Sequence, residues 1–188
     1  IHRKDEMPIE GISIDGGREV KLFVKKSSQR FTNNGFGIYS FLEVFDNEDL
    51  EEKVTSLIRK ARYTGIFEIE FIIDQDGSMY FLEINFRNTM FNHACADFGV
   101  NLLYLFAKSI LEDKIDRLVT PYKHKKHSVM YEFDDFKQSV IGGKMSFLTW
   151  VKDFRHTDSY LYIDKRDMGP FWSIIWHKIS DKIKRRLQ

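Results

Sequence analysis

The chain has 188 residues, of which 43% are hydrophobic and 30% charged, and its 29 Lys and Arg against 28 Asp and Glu leave a formal charge of +1. That is the composition of a globular protein with room for one sizeable core or two small lobes, and so even a charge balance argues against a dedicated nucleic-acid binder. A single cysteine, Cys95, excludes an internal disulfide and any multi-cysteine zinc site and suits a reducing cytoplasm, while no stretch approaches the roughly 20 apolar residues of a spanning helix.

The chain opens at Ile1 with no signal-peptide pattern and continues through polar residues from His2 to Glu6, which reads as a piece of a longer protein. Gly11 to Ile14 and Val20 to Val24 read as strands about a turn at Asp15-Gly16-Gly17, and Gly37 to Val44 as a third strand after the loop signal Asn33-Asn34-Gly35. Asn47 is a candidate N-cap for a helix over 48–62, with acids early and Arg59, Lys60 and Arg62 late. Leu50, Val54, Leu57 and Ile58 fall on its apolar face.

Ile66 to Ile73 and Met79 to Phe86 predict a hairpin turning at Asp76-Gly77. Asn88 to Asp97 reads as a short helix or an ordered loop, and Asn101 caps a helix to about Leu111 with Leu102, Leu105, Phe106 and Ile110 on its apolar side. A basic connector over Thr120 to Lys126 is broken by Pro121, a strand is expected over Ser128 to Phe133, and helical patterns follow near 145–153 and 171–186.

Folding the hairpin with Asp74 opposite Met79 puts Ile72 across from Phe81, Glu70 from Glu83 and Glu68 from Asn85. Side chains alternate between faces and cross-strand partners share one. One face is then wholly apolar, with Phe67, Ile69, Phe71 and Ile73 beside Tyr80, Leu82, Ile84 and Phe86; the other gathers Glu68, Glu70, Glu83 and Asn85. Directly opposed like charges destabilise a sheet, and no Lys or Arg lies between Gly65 and Phe86 to relieve them. A hard divalent cation would, since Mg²⁺ takes carboxylate and amide oxygens and shares itself with substrate phosphates. Arg87 keeps the same parity, placed for a phosphate or a developing negative charge. Acids on a wet sheet face also serve solubility alone, so spacing by itself leaves both readings open.

The run Gly65-Ile66-Phe67-Glu68-Ile69-Glu70-Phe71, the turn Asp76-Gly77, and Tyr80-Phe81-Leu82-Glu83-Ile84-Asn85-Phe86-Arg87 resemble the metal-binding end of ATP-grasp enzymes. The likeness extends to Gly11 to Gly16, Val20 to Gln29 and Phe98 to Leu105, and so covers roughly residues 9–113, closest to the carbamoyl-phosphate-synthase-like and D-aspartate-ligase-like branches. Phe86 stands where one variant of the motif has proline.

The resemblance implies an α+β fold: an antiparallel sheet with helices on one side, the C-terminal lobe of an ATP-grasp domain over 1–113, and a mainly helical extension over 114–188. It implies ATP and Mg²⁺ as cofactors and a cytoplasmic ligase joining a small-molecule carboxylate to an amine through an acyl phosphate. Glu70, Glu83 and Asn85 would hold metal, Lys26, Leu82 and Glu83 would contact nucleotide, and Arg87 would stabilise the phosphoryl oxygens; Glu68 faces the same way. The phosphate-covering glycine loop, the nucleotide lysines and the adenine-binding linker of such enzymes precede this portion, and Gly35-Phe36-Gly37 reads only as a turn. The chain by itself is thus expected to be a poor catalyst or none.

Lys25, Lys26 and Arg30 could line the site or merely end a solvated strand, and His93 reads as structural rather than substrate-contacting. Cys95 reads as a buried small hydrophobe, and His124 and His127 as solvated. At the C-terminus Trp172, Ile175, Trp176, Ile179 and Ile183 share a helical face among Lys178, Lys182, Lys184, Arg185 and Arg186. Packing of that face on the domain is preferred to a membrane surface, but it frames a rival expectation: a non-catalytic scaffold that binds a partner or a membrane.

Overall fold

The computed structural model describes residues 3–116, 126–164 and 166–184. The connector around Thr120 to Lys126, with Pro121 and His124, lies almost wholly outside them. A seven-stranded sheet organises the chain, in the order β5-β4-β1-β2-β3-β6-β7. Its strands are β1 (Arg3–Ile14), β2 (Glu19–Phe31), β3 (Gly37–Val44), β4 (Gly65–Asp74), β5 (Met79–Asn85), β6 (Lys126–Met130) and β7 (Ser159–Tyr160). Every pairing is antiparallel except β6 with β7.

β1 is longer than its apolar run suggests, because β4 extends its pairing back past Pro8 to Arg3. A bulge lies between Glu10 and Gly11 in the β1–β2 ladder. Gly11 is required there: a Cβ would come within 2.8 Å of both Leu22 Cδ2 and Phe67 Cζ.

Helices cover both faces of the sheet rather than the one expected. α1 (Glu48–Ala61) starts as read, with Leu50 N donating to Asn47 Oδ1 at 3.0 Å, and ends on Arg62 in the left-handed region. It buries Leu50, Val54 and Ile58 against Ile9, Val20, Leu22, Phe67, Ile69 and Phe71, while Leu57 stays exposed at the edge of the contact. α2 (Asn92–Asp97) and α3 (Leu102–Glu112) bury Ala94, Cys95 and Leu102 in a second cluster with Ile12, Ile14, Phe23, Ile38 and Ile66. Strand alternation explains the division, since Ile66 and Phe67 are neighbours on β4 and point to opposite sides.

The hairpin register departs from the expected one in its outer half. Glu68 faces Asn85 and Glu70 faces Glu83 as read, but Phe71 then pairs with Phe81 and Ile72 with Tyr80, with a bulge between. Leu82 is the extra residue, so the parity of β5 reverses beyond it. β5 is also an edge strand whose Met79, Tyr80, Phe81 and Leu82 are exposed; the continuous apolar face expected on this hairpin is not formed.

Among the described residues after 113 most elements are helical, namely α4 (Glu132–Asp135), a π-helical stretch over 136–141, α5 (Phe147–His156) and α6 (Gly169–Lys184), yet this part also gives the sheet β6 and β7. The strand expected through Phe133 stops at Met130, where α4 takes over. This part is held to β2 by a buried ionic latch. Asp135, fully buried, accepts from Arg30 Nε at 2.7 Å and Nη2 at 2.9 Å, from Trp150 Nε1 at 2.8 Å and from Ser139 Oγ at 3.1 Å. Arg30 Nη1 reaches Asp153 at 2.6 Å, and its guanidinium lies over the Tyr39 ring at 4.0 Å. Arg30 is therefore a structural anchor, neither a solvated strand end nor part of the acidic face.

Candidate functional site

A cleft of about 270 Å³ opens where β4, β5, the end of β2, the β2–β3 turn and the segment after β5 meet. Glu68, Glu70, Glu83, Asn85, Arg87 and Lys26 all line it. The expected polar residues thus converge; Leu82 does not, being exposed at the bulge and outside the lining. Gly35-Phe36-Gly37 is a turn, as read, closed by Gly35 N on Thr32 O at 3.0 Å, and it nonetheless forms one wall of the cleft. Phe36 stands against Phe91 and Tyr131 with ring centroids 6.5 and 5.3 Å apart.

Asn85 is the centre of the acidic face. Its Nδ2 lies 3.0 Å from Glu70 Oε1, 3.1 Å from Glu83 Oε1 and 3.4 Å from Glu68 Oε1, one amide serving three carboxylates. Relief also comes from a residue distant in sequence. Lys26 Nζ stands 4.0 Å from Glu68 Oε2 and 3.3 Å from the centroid of the Phe91 ring, a cation–π contact in a nearly closed site. Burial lowers the Lys26 pKa, with Glu68, Glu10 and Glu70 pulling it back. Among the described residues Arg87 makes only two hydrogen bonds, both of 3.5 Å, to Asn85 Oδ1 and Asn88 O, and it stays exposed at the mouth.

One lysine does not neutralise the cluster. Burial, and after it the charge of Glu68, pushes the Glu70 carboxyl up to about 7. Behind it lies Glu10, paired with Glu68 across β1 and β4, 4% exposed and pushed up to about 8 by burial and then by Glu68. Thr89 Oγ1 donates to Glu10 Oε1, while among the described residues Glu10 Oε2 has no hydrogen-bond donor. Sequence reasoning missed Glu10 because it started the strand at Gly11. The available signal was a lone acid inside the apolar run from Met7 to Ile14.

The remaining candidates lie elsewhere. Lys25 pairs with Glu43 at 3.5 Å. His93 spans the backbone, Nδ1 on Met90 O at 2.8 Å and Nε2 on Tyr160 O at 3.0 Å, a structural placement as read. Cys95 is fully buried, and burial raises its thiol pKa well above the ordinary value. His127 is not solvated: it is buried with Nε2 2.8 Å from Ser159 Oγ, which donates to Asp97 Oδ2 at 2.7 Å. Pairing of β6 between β3 and β7 takes it out of water.

Among the described residues no three His, Cys, Asp or Glu side chains form a cage for a metal ion. The donor set at the cleft suits a shared ion better than a caged one: two carboxylates and an amide oxygen, all hard, on a face with excess negative charge. Asn85 presents Nδ2 to the carboxylates here, and turning its amide over would offer Oδ1 instead.

No protein-family model matches the chain, and no curated protein matches it in sequence. Solved structures do. The biotin carboxylase domain of a single-chain bacterial carboxylase matches with a TM-score of 0.52 and 13% identity, over 68% of this chain and 32% of that one. The phosphoribosylaminoimidazole carboxylase ATPase subunit from Aquifex aeolicus gives 0.49 and 18%, over 60% and 36%, and an L-amino acid ligase from Bacillus licheniformis 0.45 and 18%, over 60% and 30%. The fold is the ATP-grasp fold. The matched region spans only about a third of these neighbours' own length.

Proposed function

We propose that the chain is the metal-side lobe of an ATP-dependent ligase that joins a carboxylate to an amine in the cytoplasm. The observation that carries this is the convergence of Glu70, Glu83, Asn85, Arg87 and Lys26 on one cleft of an ATP-grasp fold, with more negative charge than its single buried lysine offsets.

Glu70, Glu83 and Asn85 would hold Mg²⁺, which when bound supplies a bridge to phosphate oxygens and neutralises their charge. Arg87, uncommitted to any carboxylate among the described residues, would meet the phosphoryl group as it leaves ATP for the substrate carboxylate. Lys26 would set the potential of the cleft floor. Phe36 and Phe91 would exclude water that otherwise hydrolyses an acyl phosphate. The amine then attacks the acyl carbon and phosphate departs. A carboxylate–thiol ligase would use the same residues, the acceptor being chosen by parts of the protein beyond this lobe.

The test is ADP release by the longer protein of which this chain is read as a part. It is given Mg-ATP with pooled carboxylates and amines, beside its Glu83→Gln variant. Substrate-dependent ADP that disappears in the variant supports the ligase. Absence of any nucleotide binding by the intact protein overturns it.

A further inference from the structure

The acidic cleft leaves the C-terminal helix unexplained. α6 opens with Pro170 in its first turn, and Trp172 N donates to Met168 O at 3.1 Å. One side of it is spoken for: Phe171 stacks on Phe133 with centroids 5.5 Å apart and planes 16° apart, and Ile174 and Ile175 are half-buried. The other side is not. Trp172 and Trp176, one helical turn apart, are 62% and 72% exposed. The preferred expectation, that this apolar stripe packs on the domain, therefore fails for both tryptophans.

In sequence the positions at 179 and 183, both Ile, continue the Trp172–Trp176 stripe at helical spacing. Residues 168–188 hold five Lys or Arg and a single Asp, whereas the whole chain carries only +1, so the rest of it is net acidic. In sequence, positive charge is thus concentrated just after the exposed tryptophans.

We propose that α6 docks the protein on an anionic lipid surface with its tryptophans at headgroup depth, drawn there by the Lys and Arg residues that the sequence places at 178–186. Tryptophan suits that boundary because its ring is apolar and its indole N–H is not. Each Lys or Arg near an anionic leaflet adds attraction that salt screens. A second copy docking through the same face would instead bring up a stripe of the same sign. Among the described residues no helix is long and apolar enough to cross a membrane, so this is a contact on the surface. It stands independently of the ligase reading.

The test is sedimentation of the full 188-residue chain with vesicles of phosphatidylcholine alone or with about one-third phosphatidylglycerol, read together with tryptophan quenching by brominated lipid. The expected result is binding to anionic vesicles only, weakened about tenfold by Trp172→Ala with Trp176→Ala, and similarly by Lys182→Gln with Arg185→Gln and Arg186→Gln. Raising salt from about 0.1 M to about 0.5 M releases it. Both variant sets change exposed or terminal positions, and far-UV circular dichroism verifies that each stays folded. No binding to either vesicle overturns the proposal. So does equal binding to both, an unaffected tryptophan variant, or a dimer in lipid-free solution that the tryptophan variant abolishes.

Discussion

Around Asp135 each charge meets a partner within 3.1 Å, while around Glu68 several carboxylates depend on one lysine at 4.0 Å and one shared amide. Asp135, Glu68 and Glu10 are all buried, and both clusters join strands to segments remote in sequence. The latch matches a bidentate guanidinium to a carboxylate and spends the remaining lone pairs on Trp150 and Ser139, so nothing is left over. Among the described residues the cleft leaves Glu10 Oε2 undonated, and it holds two carboxyls far above their ordinary pKa of 4.5. Proteins tolerate unrelieved charge chiefly where a ligand completes it. The same fold thus contains a charge cluster built for stability and another that lowers it.

The sharpest way to break this contrast is at the latch. Asp135→Ala strips four hydrogen bonds and leaves the Arg30 guanidinium largely buried with Asp153 alone. Removing one partner of a buried pair costs about 3–5 kcal/mol. Chemical denaturation of the variant is expected to show a loss of that order, with Asp135→Asn in between. A loss below about 1 kcal/mol would place the latch among ordinary surface pairs and dissolve the comparison.

At the cleft the sign reverses. Folding raises the Glu10 pKa from 4.5 to about 8, so between those values the native state holds more of a proton than the unfolded chain. Stability therefore falls as pH climbs through that window and levels off above it. Glu70 acts the same way between 4.5 and about 7, and Lys26, lowered by burial, acts oppositely in a window that ends at 10.5. Glu10→Gln keeps an acceptor for Thr89 and removes the titration. Melting temperatures across pH 4 to 9 are expected to show a flatter profile and a variant more stable than the wild type at the alkaline end, by an amount on the order of a few kcal/mol. A variant less stable there would mean that the Glu10 charge is well accommodated.

Which parts were legible in the sequence follows from the range of the signals. Asn47 and Asn101 cap their helices as read, because capping is settled within three residues. The opposition of Glu70 to Glu83 and of Glu68 to Asn85 was legible too, since the alternation near the site is undisturbed. The bulge at Leu82 was not, because nothing within β5 marks an extra residue; the outer half of the register and the apolar face went with it. Lys26, Glu10 and Asp135 meet their partners across 42, 58 and 105 residues of chain. Pairing over such distances is decided by strand order, which local pattern does not encode. His127 shows the same limit: a Lys-rich neighbourhood reads as wet until β6 is inserted between two strands.

The smallest stability effect is expected from the residue with the largest functional one. Glu83 is exposed and stands opposite Glu70, and its only hydrogen bond among those described is from Asn85. Neutralising it as Glu83→Gln removes a like-charge opposition worth about 0.2–1 kcal/mol and exchanges one acceptor for another. Without Mg²⁺ the variant should therefore unfold at the wild-type denaturant midpoint or slightly above it. Adding Mg-ATP to the intact protein should raise the midpoint of the wild type and leave that of Glu83→Gln where it was, because ligand bound only to the native state stabilises by mass action. Equal shifts in both would take the metal off this hairpin, and a destabilised variant would make Glu83 a structural residue like those of the latch.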